Sequence, residues 1–304
     1  MAITTEIIAY VALFMLGTAL GSFLNVLSMR YNPEKSVFGN KSIGGRSRCM
    51  NCKKKLTWIE LFPIFSFLVQ KGRCASCGAK LSLQYPIVEI AMGILAVATV
   101  YYLNGFFQIS SAVFLSLFAP WWQYALTLSW IFAFAVWFLI VLIDIKHYVV
   151  PNELNAILGI LGIIVVGIIW IYNSQLPFFS NSFLGQYAMY LSPSGSVLIN
   201  HILGALVAGA FFALLSVASR GHGMGFGDVK LALASGLLLG WPDIALMIIS
   251  SFILGGIFGG YLLITKRLGM KDRVPFAPFF VLGVAVTFFF GKLILGGYFA
   301  LFGI

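Results

Sequence analysis

Apolar residues run through this chain in long, almost uncharged stretches that recur from one end to the other. An α-helix rises about 1.5 Å per residue and membrane hydrocarbon is about 30 Å thick, so a spanning helix needs about 20 apolar residues. Seven stretches approach this length, and a shorter eighth ends at a proline turn. The predicted spans are 7–28, 86–103, 124–143, 153–172, 197–218, 229–240, 244–265 and 279–296. The pattern therefore predicts an all-α polytopic membrane protein with about eight transmembrane helices.

Composition supports this fold class. Of the 304 residues, 61% are apolar and 9% are charged, whereas ordinary soluble domains are about 25% charged. A soluble domain, a disordered chain and a disulfide scaffold are therefore excluded. Because no basic region precedes the first apolar stretch, we expect this stretch to remain as a helix rather than to be removed as a signal peptide.

The positive charges predict a topology. A net charge of +10 would suggest a nucleic-acid partner for a soluble protein, but in a membrane protein Lys and Arg mark the cytoplasmic loops. Eight spans place 18 of the 19 basic residues on one side, provided that the aromatic-rich segment 104–123 does not cross the membrane. We therefore predict a periplasmic N-terminus, a cytoplasmic loop at 30–85 and an interfacial or re-entrant segment 104–123. Anionic membrane lipids, rather than nucleic acid, are the expected partners of the basic loop.

The cytoplasmic loop contains every cysteine of the chain. They form two CxxC motifs, Cys49 with Cys52 and Cys74 with Cys77. Two such turns can bring four thiolates to one tetrahedral centre, which predicts structural zinc. A redox-active cysteine pair is the competing interpretation, but it expects a single motif at the start of a helix. A loop of this size buries too little apolar surface to be stable alone, so zinc would hold it together.

The cysteine-containing loop also defines the predicted domain organisation. A first transmembrane helix covers residues 1–29, the zinc-bound cytoplasmic insert covers 30–85, and a membrane domain with the remaining helices covers 86–304. The outer loop at 173–196 carries no pattern to which we can assign chemistry.

Two aspartates stand at predicted cytoplasmic membrane boundaries. Asp144 ends the third span and Asp228 opens the short sixth span. Each alone could be a helix cap or one half of an ion pair, but two carboxylates together in a low dielectric cannot both ionise easily and share a proton. One can then activate water while the other protonates a substrate carbonyl oxygen, as in an aspartic protease. Gly225 and Gly227 would let an extended peptide approach the backbone, or would only make a flexible loop.

Several ordered motifs give the chain a specific likeness to a known family. They are Gly21-Ser22-Phe23-Leu24-Asn25-Val26, the four cysteines, Tyr85-Pro86-Ile87-Val88-Glu89, the segment from Asp144 to Asn152, Gly225-Phe226-Gly227-Asp228-Val229-Lys230 and Pro275-Phe276-Ala277-Pro278-Phe279. Nearly the whole chain resembles the bacterial prepilin peptidases, or type IV leader peptidases, of the GxGD class of membrane aspartic proteases. Two positions depart from the family pattern: Met50 stands where Pro is common, and Asn152 stands where an acidic residue is frequent.

The resemblance implies an activity. Asp144 and Asp228 would be the catalytic pair, cleaving the leader of type IV prepilins and type II secretion pseudopilins after a Gly, on the cytoplasmic side of the bacterial inner membrane. The resemblance also implies methylation of the new N-terminal residue with S-adenosylmethionine, although no binding motif for this methyl donor is readable. The remaining candidates for binding substrate or shaping the site are Asn25, Pro151, Asn152, Gly225, Gly227 and Lys230.

Some of these polar residues have equally simple structural explanations. Asn25 could hold two helices together instead of binding substrate backbone. Glu89 could pair with a Lys of the insert rather than recognise a basic leader, and Lys230 could bind lipid headgroups.

Two other functions remain open from the sequence. Ionisable groups in a membrane could bind protons in a transporter regulated by the zinc insert. The chain could also be a non-enzymatic scaffold for pilus assembly.

Overall fold

The chain folds entirely into helices and loops in its computed structural model, which describes residues 2–39, 43–106, 120–175, 182–220, 224–267, 269 and 273–303. Within these residues β-structure is limited to two isolated bridges, so the all-α prediction is confirmed. The α-helices are α1 (Ala2–Arg30), α2 (Phe65–Val69), α3 (Gln84–Phe106), α4 (Trp121–His147), α5 (Asn152–Ile171), α6 (Ala188–Leu191), α7 (Val197–Ala218), α8 (Phe226–Leu239), α9 (Asp243–Ile264) and α10 (Ala277–Ala300). Three short 3-10 turns, Ile59–Leu61, Asn173–Gln175 and Gly185–Tyr187, complete the regular structure of these residues.

Seven of the described helices are long and apolar enough to cross a membrane: α1, α3, α4, α5, α7, α9 and α10. The eighth predicted span is the helix α8, whose 14 residues extend about 21 Å, well short of the hydrocarbon thickness. It begins at Phe226 rather than at Val229, so Asp228 lies inside its first turn. Residues 107–119 of the segment 104–123 lie outside the described part of the chain, and its interfacial placement stays a prediction.

The chain divides into two compact units, residues 1–135 and 136–304. In the first unit, α1 packs closely against α3 because small residues line the contact. A Cβ on Gly17 would lie 2.8 Å from the carbonyl oxygen of Met92, and one on Gly21 would lie 2.9 Å from that of Val88. Small residues let helix backbones approach in this way when lipid supplies no hydrophobic driving force.

The insert is tied to α1 and α3 of the first unit. The guanidinium of Arg30, at the end of α1, donates to the carbonyl oxygen of Gly44 at 2.8 Å. Glu89 is 5% exposed, and its carboxylate accepts a hydrogen bond of 2.7 Å from the backbone N–H of Ile64. The partner of Glu89 is thus the backbone of the insert rather than one of its lysines.

The second unit has the short helix α8 at its centre, packed against α5 and α7. At Gly204 and Gly236 the backbones of α7 and α8 meet with no room for a Cβ. A Cβ on Gly204 would lie 2.6 Å from the carbonyl carbon of Gly240, and one on Gly236 would lie 2.5 Å from the carbonyl oxygen of Gly204. This close packing sets the position of α8.

The loop between α5 and α7 of the second unit is anchored by a buried carboxylate. Asp243, the first residue of α9, is fully buried and accepts hydrogen bonds from the hydroxyl of Ser182 at 2.7 Å and from the backbone N–H of Phe183 at 3.0 Å. The Phe183 ring packs on Phe288 of α10, with 4.4 Å between ring centroids. The described part of this loop therefore contacts both α9 and α10 and links the two helices.

The glycine contact between α7 and α8 yields a test of the fold. Gly204→Ala places a methyl group inside the van der Waals envelope of α8 and should lower the free energy of unfolding by about 1 to 3 kcal/mol. Gly256→Ala, on α9, is the matched control because its Cβ would meet open space, so stability should be unchanged or slightly higher. Thermal unfolding in one detergent measures both variants, and equal midpoints for the two would contradict the packing described here.

Candidate active site and metal centre

Asp144 lies in the last turn of α4 and is 5% exposed. The helix ends just beyond it, where Tyr148 takes the left-handed conformation with φ of 54°. The Asp144 Oδ2 atom accepts a hydrogen bond of 3.0 Å from the backbone N–H of Ala277, the first residue of α10. The positive end of the α10 dipole therefore faces the carboxyl group of Asp144 and favours negative charge there.

Asp228 is half-buried and is the third residue of α8, which has Gly225 as its N-cap. Its Oδ2 atom accepts a hydrogen bond of 3.2 Å from the backbone N–H of Gly225. The backbone N–H of Asp228 in turn donates to the carbonyl oxygen of Gly225 at 3.2 Å. The Asp228 side chain thus caps the N-terminus of α8. Like Asp144, which faces the start of α10, Asp228 has the positive end of a helix dipole beside its carboxyl group.

The two carboxyl groups are close enough for the charge on Asp144 to act on Asp228. In each carboxyl group Oδ2 accepts a backbone N–H, whereas Oδ1 has no hydrogen bond to the described residues. Such a pair can share one proton and keep one oxygen of each group free for a third molecule. Water, with a peptide carbonyl beside it, fits this arrangement chemically.

The two glycines of the Gly-x-Gly-Asp motif differ in their surroundings. A Cβ on Gly227 would lie 3.2 Å from the Cβ of Val150, so Gly227 lets the start of α8 approach the segment before α5. A Cβ on Gly225 would meet only the Asp228 side chain, at 3.7 Å. Gly225 is exposed and leaves the backbone beside Asp228 accessible, while residues 221–223 lie outside the described part of the chain.

Polar side chains at the start of α5 reach α8 beside Asp228. The Lys230 ammonium group donates to Asn152 Oδ1 at 2.8 Å. Pro151 is the N-cap of α5, and the Asn155 side chain donates to the carbonyl oxygen of Gly227 at 3.4 Å. These contacts fix the start of α8 against the start of α5, so Lys230 and Asn152 brace the two helices against each other.

Asn25 belongs to the first unit. It is fully buried in α1, and its Oδ1 atom accepts a hydrogen bond of 2.8 Å from the side chain of Gln84 at the start of α3. The structure thus places Asn25 at the contact between two helices.

The four cysteines lie together in the insert, and their sulfur atoms are all within 4.8 Å of one another. Cys49 Sγ and Cys77 Sγ are 3.9 Å apart, close to the edge of about 3.8 Å expected for a tetrahedron with metal–sulfur bonds of about 2.3 Å. The two CxxC turns are built alike. In the first, the N–H of Cys49 donates to the carbonyl oxygen of Lys54, and in the second, the N–H of Cys74 donates to that of Ala79.

The cysteines of this cluster differ in acidity. Against the backbone N–H of Lys54, which favours the thiolate, burial and the neighbouring cysteines raise the pKa of Cys52 to about 11, whereas hydrogen-bond donors favour the thiolate form of Cys77. The N–H of Ala79 and the side chain of Asn51 lower the pKa of Cys77 to about 6, and the Asn51 nitrogen lies 3.7 Å from the Cys77 sulfur. Thiolates, not thiols, bind metal ions. The chemistry of these four donors therefore fits a metal ion.

Three features of the candidate active site have little signature in the sequence. The first is the N–H of Ala277, a backbone group that the sequence indicates only through the pair of prolines that flank the start of α10. Beneath it the ring of Phe276 packs on Phe212 of α7 and Phe252 of α9, with centroid distances of 5.7 and 5.5 Å. Asn155 could have been found from its position one helical turn beyond Pro151.

Two family models match separate parts of the chain. Residues 15–103 match the model of the bacterial peptidase A24 N-terminal domain, and residues 130–260 match that of the type IV leader peptidase family. No solved structure matches the chain significantly.

Relatives that share one name match most of the chain. It is 29% identical to a prepilin leader peptidase/N-methyltransferase of Bacillus subtilis (strain 168), over 94% of this chain and 96% of that protein. Proteins of the same name from Legionella pneumophila and Aeromonas salmonicida (strain A449) are 28% and 26% identical, over 95% and 94% of this chain and 94% and 92% of their own lengths. With its two matched domains and these relatives, the chain belongs to the type IV leader peptidase family.

Proposed function

We propose that this chain is a membrane aspartic endopeptidase that removes the leader of type IV prepilins and type II secretion pseudopilins after a Gly, and then methylates the new N-terminal residue. The pairing of Asp144 with Asp228, each held by a backbone N–H at a helix N-terminus, carries the proposal. The names of the relatives indicate prepilins as the substrate class.

In the proposed reaction the pair holds one proton. The ionised carboxylate takes a proton from water, whose oxygen attacks the Gly carbonyl carbon, while the protonated partner gives its proton to the carbonyl oxygen. The C–N bond then breaks as the leaving amine takes the proton that one carboxyl group received from water, and a hydroxyl of the tetrahedral intermediate returns a proton to the other carboxylate, which restores the starting state. The Oδ1 atoms of Asp144 and Asp228 are the acid and base positions, because both Oδ2 atoms accept backbone N–H groups.

The site is proposed to lie at the cytoplasmic boundary of the bacterial inner membrane. The end of α4 and the starts of α5, α8 and α10 meet around the two aspartates. Lys146 lies in the last turn of α4, and the neighbouring loops carry Arg220 and Arg273. Under the positive-inside rule these charges, with those of the insert, place this end of the helices in the cytoplasm and the N-terminus in the periplasm.

The family match and the site geometry favour this activity over a proton-coupled transporter or a scaffold. A transporter would expose ionisable groups within its spans, yet the buried Asp243 is occupied by two hydrogen bonds to the outer loop. A scaffold would not need two carboxyl groups with free oxygens in one place.

Zinc is the proposed occupant of the four-cysteine centre, since a closed set of four thiolates suits a structural zinc ion. S-adenosylmethionine is the proposed methyl donor, from the name of the relatives alone. The described residues contain no strand and hence no strand–glycine loop–helix cradle, the common nucleotide site. No residue is assigned to the methyl donor.

Replacing either aspartate tests the peptidase. Asp144→Asn and Asp228→Asn should each lower prepilin cleavage at least about 1,000-fold, because loss of one member leaves no acid–base pair. Cleavage is followed by gel mobility of a purified prepilin. Glu153→Gln, which removes an exposed carboxyl group at the start of α5, is the matched control and should cleave at the normal rate. Normal cleavage by both aspartate variants at normal protein levels would contradict the proposal.

Metal analysis tests the insert. The purified chain should contain about one zinc per molecule, and Cys74→Ser should lose it and destabilise the insert, because the remaining thiolates form an open site. Ser76→Ala, between the two cysteines of the second turn, should keep the zinc. A folded wild-type protein with almost no zinc would refute the assignment.

Mass spectrometry tests the methyl transfer. Mature pilin made by the enzyme with S-adenosylmethionine should carry one methyl group more than pilin made without it. Identical masses would remove this half of the proposed function and leave the peptidase half standing.

A further inference from the structure

An open groove of about 380 Å³ runs between α5 and α8, directly beside the start of α8. Four residues of each helix line it, and both sets follow the same helical pattern of positions i, i+3, i+4 and i+7. The lining residues are Asn152, Asn155, Ala156 and Gly159 from α5, and Lys230, Leu233, Ala234 and Leu237 from α8. This spacing puts each set on one face of its helix, so one helix face forms each wall of the groove. The lining is mostly apolar.

The groove has a polar end and a closed end. At the polar end Lys230 reaches Asn152 and lies two residues from Asp228. At the other end α5 and α8 converge, where a Cβ on Gly162 would lie 3.1 Å from the Cγ of Leu237. From Lys230 to Leu237 the groove extends about 10.5 Å, the length of two helical turns.

One buried polar atom of the groove has no partner. Asn155 is 6% exposed and uses its amide nitrogen on the carbonyl oxygen of Gly227, whereas its Oδ1 atom has no hydrogen bond within the described residues. A buried amide oxygen left unpaired costs about 1 to 3 kcal/mol. Asn155 therefore presents an unused acceptor in the groove, beside the residue that precedes Asp228.

We infer that the groove between α5 and α8 binds the apolar helical stem that follows the scissile bond of the substrate, and that Asn155 Oδ1 accepts one of its backbone N–H groups. The inference rests on the proposed function and adds the place where the substrate is held. A helix that begins just after the cleaved bond leaves up to four N–H groups without internal partners, and in lipid each of them needs an acceptor.

The chemistry of the groove favours a peptide helix over a lipid chain. An acyl chain carries no donor for Asn155, and a free helical stem supplies one at the end where the two aspartates lie. Small residues, Ala156, Gly159 and Ala234, let a third helix approach the other two closely, as in other membrane helix contacts. The stem would then lead directly from lipid to the carboxyl pair.

Filling the groove tests the inference. Gly159→Leu adds a side chain in open space, so it should fold normally, raise KM for full-length prepilin at least about 10-fold and change kcat less than about 3-fold. Gly167→Leu is the matched control, because it lies on the same helix, also meets open space and does not line the groove; its KM should equal that of wild type. An unchanged KM in Gly159→Leu would overturn the inference and leave the groove to lipid.

A backbone substitution in the substrate tests the acceptor. Synthetic prepilins with an ester in place of one amide, at each of the second, third and fourth residues after the scissile bond, lack one N–H at a time and keep the scissile amide. At one position the ester should raise KM about 10-fold with wild-type enzyme and have no further effect with Asn155→Ala. If no position shows this coupling, Asn155 is not the acceptor.

Crosslinking separates this inference from the proposed activity. A photoreactive residue in the stem of an uncleaved prepilin, bound to Asp228→Asn enzyme, should attach to α5 and α8 near Gly159 and Leu233, and a probe in the leader should not. Attachment elsewhere overturns the groove assignment even if cleavage is normal. Failure of the wild-type enzyme to cleave, with attachment to the groove, would refute the peptidase and retain the binding site.

Discussion

Two carboxyl groups repel each other when they are brought together away from bulk water, and the second unit of this protein is organised around overcoming that repulsion. Asp144 and Asp228 come from helices far apart in sequence, and each is held by one backbone N–H at a helix N-terminus. A backbone donor lowers the cost of a charge without adding a group that could titrate. The pair can then hold one proton between two carboxyl groups, which is the state that acid–base catalysis requires.

The rest of the second unit serves to keep those helix ends in place. Gly204 and Gly236 let the backbones of α7 and α8 meet directly, and the rings of Phe212, Phe252 and Phe276 pack beneath the start of α10. Asn155 and Lys230 fasten the start of α8 to α5. Because α8 is only 14 residues long, it does not have to span the membrane. Its first turn can therefore lie inside the protein and still be reached by water. In the insert of the first unit, the four cysteines lie close enough together to hold a metal ion.

The sequence predicted the elements whose signal lies in side chains. Long apolar stretches predicted the spans, the spacing of Cys49, Cys52, Cys74 and Cys77 predicted the cluster, and the scarcity of carboxylates identified Asp144 and Asp228. It predicted the start of α8 three residues late, because Gly225 and Gly227 are typical of loops. In the structure the Asp228 side chain accepts a hydrogen bond from the N–H of Gly225 and caps a helix that begins two residues before Asp228. It also missed the N–H of Ala277 and the hydrogen bond of Glu89 to the backbone of Ile64. Backbone partners leave no residue type to recognise, and their positions depend on packing over long sequence distances.

We propose that the two aspartates act as one proton-sharing unit. The measurement that decides this is the pH dependence of kcat/KM for leader cleavage, because the free enzyme must hold one proton on the pair and its rate must fall on both sides of that state. We expect a bell-shaped profile with two single-proton limbs. A profile with one limb, or a rate that stays constant once a single group has ionised, would show that the carboxyl groups do not work as a pair.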